Sequence, residues 1–176
     1  MRFFTGFLPI FLLLTVAHLT EGLTRRKARI VLENRTGSYF KFQVLHQYTG
    51  KGTDDSGWIE FAPGDSKEVF AGVSYNTGFM TTGVDNWIIH GKQLHKVSGS
   101  VDGGLIKFDG HVFIEGLPYR SYHGFGAEWK KHMLNSKDDG KTTVIKVYQS
   151  TIEFISPSGK SSTRFDTVAD SAGRIM

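Results

Sequence analysis

From Tyr39 to Tyr48 the chain alternates with a period of two: Phe40, Phe42, Val44, His46 and Tyr48 fall on one side, and Lys41, Gln43 and Gln47 on the other. An extended strand with one buried face sorts side chains this way, whereas a helix would scatter the same residues around its circumference. Shorter runs repeat the pattern. Strands are predicted at 28–33, 58–61, 67–74, 79–82, 86–91, 105–108, 111–114, 142–148 and 151–155, and at 128–134, where Trp129, His132 and Met133 also fit one helical face. Between them stand Asn34-Arg35-Thr36-Gly37, Pro63-Gly64-Asp65, Asp109-Gly110 and Asp138-Asp139-Gly140, which are turn chemistry rather than linkers. Short strands at regular spacing predict an all-β, single-domain antiparallel β-sandwich, opening with a hairpin of 28–33 against 39–48.

Such a fold must hold without disulfides, because the sequence contains no cysteine. Fourteen Phe, six Tyr and three Trp supply the burial instead. The missing thiols also exclude cysteine nucleophiles, redox motifs and cysteine-ligated zinc. A net charge of +4 favours anionic surfaces, yet Lys and Arg are interspersed with Asp and Glu and form no basic stripe of the kind nucleic acid would require.

The first residues predict the compartment. Arg2 is followed by an apolar run over 7–17, and small Thr20 and Gly22 stand where a signal peptidase reads. That run is too short to span a bilayer. The expectation is a signal peptide at 1–22, a secreted domain over 23–155 starting near Leu23, and a polar tail over 156–176, with no transmembrane segment.

Hydrolase motifs are missing: neither Gly-x-Ser-x-Gly nor His-Glu-x-x-His occurs. His90 and His95 stand five apart and so on opposite faces of one strand, where they cannot share an ion. Asp54-Asp55 and Asp138-Asp139 lack the alternating ligand spacing of a calcium loop and fit turns better. No metal, cofactor or catalytic residue is therefore assigned. Asn34-Arg35-Thr36 is the one acceptor sequence for N-linked glycan, placed by the predicted hairpin on an exposed turn.

The densest aromatic and turn-rich segment runs from Val73 to Trp87, and Tyr48-Thr49-Gly50 and Trp58 stand before it. Aromatics beside Gly, Asn and Asp suit recognition of a glycan, a headgroup or a protein, since a flat face buries while polar neighbours hydrogen-bond. The same aromatics equally fit a sandwich core with glycines at its corners. On the recognition reading the ligand-binding set is Tyr48, Trp58, Tyr75, Asn76, Phe79, Asp85 and Trp87.

These residues carry a resemblance. The succession Val44-Leu45-His46-Gln47-Tyr48-Thr49-Gly50, Trp58, Pro63-Gly64, Tyr75-Asn76-Thr77-Gly78-Phe79 and Thr82-Gly83-Val84-Asp85-Asn86-Trp87 resembles a small eukaryotic family, the Up-regulated in Daf-two domain, over roughly residues 28–156. Residues 134–147 are similar to its final hairpin, and 99–126 looks like an insertion. That family name records an expression pattern, so the resemblance implies no catalytic residue. A looser, fold-level likeness is to aegerolysin-type sandwiches, which bind lipid at membranes. The sequence thus points to a secreted, non-enzymatic binding module for lipid headgroups or glycans. The alternatives are a structural or signalling protein that binds another protein, and a hydrolase with a site assembled across strands.

Overall fold

The structure is a computed structural model, and it describes residues 22–78, 81, 83–98, 111–122 and 129–168. It is all-β: among the described residues the only helical element is one 3-10 turn, Ser136–Asp138. The strands are β1 (Thr24–Asn34), β2 (Tyr39–Tyr48), β3 (Thr53–Asp55), β4 (Ile59–Phe61), β5 (Ser66–Thr77), β6 (Asp85–Ser98), β7 (His111–Tyr122), β8 (Lys130–Lys131), β9 (Thr142–Val147), β10 (Thr151–Ser156) and β11 (Gly159–Thr167). They form one sheet in the order β3-β2-β6-β7-β11-β10-β9-β1-β5, with β4 also on β2 and β8 on β6.

The sheet is mixed rather than wholly antiparallel, because β1 and β9 run parallel, Ile30 beside Thr143 and Leu32 beside Ile145. A long connection permits this where a tight turn would not. The predicted opening hairpin is also corrected. β1 pairs with β5 and β9, while β2 pairs with β3, β4 and β6, so residues 35–38 carry the chain across the core instead of folding it back.

That crossing explains Asn34. Its side chain is fully buried, and its Nδ2 donates to the carbonyls of Ser38 (2.8 Å), Phe61 (3.4 Å) and Ala62 (3.0 Å). Its Oδ1 accepts from the backbone N–H and the hydroxyl of Thr36. The expectation of an exposed glycan acceptor is corrected here: the nitrogen a glycan would modify braces the corner from inside.

The alternation over Tyr39–Tyr48 folds as read. Phe40, Phe42, Val44, His46 and Tyr48 are buried while the residues between them are not. Their rings meet the far side of the wrapped sheet, Phe42 lying 6.2 Å from Phe165 of β11, and Trp87 of β6 lying 6.0 Å from Phe154 of β10. The predicted polar tail is corrected as well. Gly159–Thr167 is a strand between β10 and β7, with Thr163 and Phe165 turned inward. Of the other expected strands, 105–108 lies outside the described residues, as does most of 79–82, and 128–134 reduces to the short β8.

Candidate functional site

The structure divides the predicted ligand-binding set. Tyr75, Asp85 and Trp87 are fully buried and Tyr48 nearly so, which corrects the reading of them as a recognition surface. Each has its polar tip satisfied inside, as buried aromatics and charges require. The Tyr75 hydroxyl donates to the Asn135 carbonyl at 3.0 Å, and burial, aided by Asp138, pushes its pKa up. The Trp87 indole N–H donates to the His132 carbonyl at 3.1 Å. Tyr48 donates to the carbonyl of half-buried Asn76, and burial together with Asp85 raises its pKa. Phe79 lies outside the described residues.

Asp85 belongs to a buried network. One of its carboxylate oxygens meets His46 Nε2 at 2.9 Å, and the other accepts the Leu134 N–H at 2.9 Å. His46 Nδ1 faces Asp54 at 3.1 Å, and the ring packs on Trp87 with centroids 4.3 Å apart. Fully buried and occupied at both nitrogens, this imidazole ties β2 to β3 and β6, and neither nitrogen is open to a substrate. The other buried histidine among the described residues, His132, meets Ser161 at 2.9 Å through Nδ1, but burial lowers its pKa to about 4 and no side chain pairs with its Nε2.

Trp58 differs from the other described members of the set in facing outward, with 43 % of its surface exposed. Its position is built from the chain upward. β3 and β4 pair in turn with the same edge of β2, and residues 56–58 bulge out between them. Ser56 keeps the ladder closed, its N–H donating to the Val44 carbonyl and its hydroxyl accepting the Val44 N–H at 2.8 Å. Gly57 then takes φ of +65°, where a side chain is strained, and donates its N–H to Asp55 at 2.8 Å. Bulges of this kind re-aim a side chain; this one lays the indole back over the outer face of β2 and β6.

Beneath the indole lies a cross-strand row. Lys41 of β2 pairs in register with Lys92 of β6, and Gln43 with His90; His90 in turn is opposite Arg120 of β7. The two lysine ammonium groups sit 5.3 and 5.4 Å from the Trp58 ring centroid, and the His90 ring lies nearly parallel to it at 6.4 Å. Glu115 of β7 accepts from both lysines, which hold its pKa below the usual carboxylate range. His90 Nδ1 meets Gln43 Oε1 at 3.2 Å, and the Gln43 amide donates to Asp55. Burial and the nearby Arg120 lower the His90 pKa, leaving the ring neutral at neutral pH.

Of this constellation, Trp58 is legible in the sequence as a binding residue, and Lys41 and Gln43 as the outward side of β2. His90, Lys92, Glu115 and Arg120 were missed. The polar parity of β6 and β7 was the available signal, but joining it to β2 requires a register that sequence does not show.

No curated protein matches the chain. The model of one family, described as Up-Regulated in long-lived daf-2, matches residues 24–165. The match begins at the first residue of β1 and ends at Phe165, the last inward aromatic of β11. It therefore covers all of the described sheet but the last two residues of β11, and the chain belongs to the Up-Regulated in long-lived daf-2 family.

Proposed function

We propose that the chain is a secreted, non-enzymatic binding module that recognises a lipid headgroup or a glycan on the outer face of β2 and β6. The observation that carries this reading is Trp58, a large aromatic held half-exposed by a bulge above a row of hydrogen-bonding side chains. Leaving such a ring in water forgoes its burial, and a ligand restores it. We read the wrapped sheet as a flattened sandwich, and export rests on the pattern of Arg2, the apolar run over 7–17 and Thr20 to Gly22.

A non-enzymatic role is supported by the histidines. His46 is enclosed between two carboxylates, and His132 is too weak a base at neutral pH to activate the Ser161 hydroxyl beside it. Among the described residues no helix is long and apolar enough to cross a membrane.

The test is a screen of the wild-type protein and Trp58→Ala on lipid and glycan arrays. Binding by the wild type that disappears in the variant supports the proposal, and binding that survives the substitution contradicts it. One observation favours a second reading, a structural or signalling protein with a protein partner: Val97, Val112, Ile114 and Leu117 stand exposed along β6 and β7. Silence of the wild type on both arrays would shift the assignment to that surface.

A further inference from the structure

We infer, building on the reading that Trp58 marks the recognition face, that its ligand is an uncharged saccharide and not a phospholipid headgroup. Lys41 and Lys92 bind the two oxygens of one carboxylate, Glu115, so their ammonium groups lie on the same side of the indole, 5.3 and 5.4 Å from its centroid. The electron-rich π-face is thus already engaged by two cations. A third cation stacked on the opposite face would meet a ring whose charge is drawn inward and two like charges behind it. A choline headgroup, which aromatic cages hold by cation–π attraction, is disfavoured.

An anionic headgroup fares no better. Both lysines are held by the two oxygens of Glu115, and the one net positive charge left on the trio is shared by two ammonium groups beneath the indole. A phosphate would have to displace an ionised carboxylate that accepts from both lysines and reach ammonium groups covered by the indole, so the two lysines offer it no open cationic site.

What remains matches a pyranose. The outer face of Trp58 is flat and apolar, and the groups at its border supply both donors and acceptors: the Gln43 amide and the neutral His90 imidazole do both, and the Glu115 carboxylate accepts. A hexose ring presents an apolar C–H face with hydroxyls around its rim, each able to donate and accept. It can stack on the indole without displacing the ion pairs and can hydrogen-bond to the row beneath.

The secreted protein should be titrated with uncharged oligosaccharides of glucose, mannose and N-acetylglucosamine. Parallel arms use a heparin tetrasaccharide, phosphatidylcholine vesicles and vesicles containing phosphatidylserine, each at low and high salt. We expect an uncharged oligosaccharide to bind with little salt dependence, and Trp58→Ala to weaken it by about tenfold or more, the scale of an anchoring aromatic. Gln43→Leu, which leaves the indole in place, should weaken the same ligand several-fold, and thermal melts establish that both variants fold. Trp58-dependent binding confined to heparin or to either vesicle would overturn the saccharide assignment while leaving the Trp58 face standing. Loss of all binding, or binding indifferent to Trp58, would overturn both.

Discussion

His132 shows how one residue's surroundings become a property of the whole protein. Its ring is buried against Phe154, with centroids 5.4 Å apart, and desolvation lowers its pKa to about 4, against 6.5 for an ordinary imidazole. Between those values the unfolded chain binds a proton that the folded chain refuses. The stability held above pH 6.5 therefore declines as pH falls toward 4, with a slope approaching about 1.4 kcal/mol per pH unit. His90 shifts in the same direction. Urea unfolding across this window should show the decline, and His132→Gln should flatten it without removing it. An unchanged slope in His132→Gln would mean that the ring is charged, or exposed, in the folded state.

At the scale of elements, partner choice separates what the sequence revealed from what it concealed. β2 was legible to the residue because its alternation is local and strong. β11 was not, since Ser161 and Thr163 occupy inward positions where apolar residues would have marked a strand. The β1–β9 pairing was hidden for another reason: contact between residues more than a hundred positions apart leaves no local pattern. The same non-local packing turned Tyr75 and Trp87 from plausible binding residues into core.

Two predictions belong to this scale. A chain ending at residue 155 should fail to fold, because it strips β7 and β10 of their shared neighbour and empties the place of Phe165. A chain ending at Val168 should melt as the full protein does. Equal melting of the two would show β11 to be dispensable. Gly91, inside β6, provides the second. A Cβ there would meet the Phe165 ring at 2.6 Å and the Phe42 ring at 3.2 Å, so the absent side chain is what lets those rings close over the strand. Gly91→Ala should cost about 1–3 kcal/mol by overpacking, measured by chemical unfolding, and a neutral result would place the two rings elsewhere.

Over the whole molecule, a sheet wrapped on aromatic rings supplies a cysteine-free chain with its core and leaves the Trp58 ring on its outer face. The two tryptophans of this account have opposite roles, Trp87 holding the fold and Trp58 offering a surface. Thermal stability and oligosaccharide binding, measured together on Trp58→Ala and Trp87→Ala, separate the two roles. Trp87→Ala should lose about 3–5 kcal/mol of stability, as expected for a large buried ring. Trp58→Ala should stay within about 0.5 kcal/mol of the wild type, as a surface change does, and should lose binding. A Trp58→Ala protein that binds like the wild type, or that unfolds as readily as Trp87→Ala, would contradict the account.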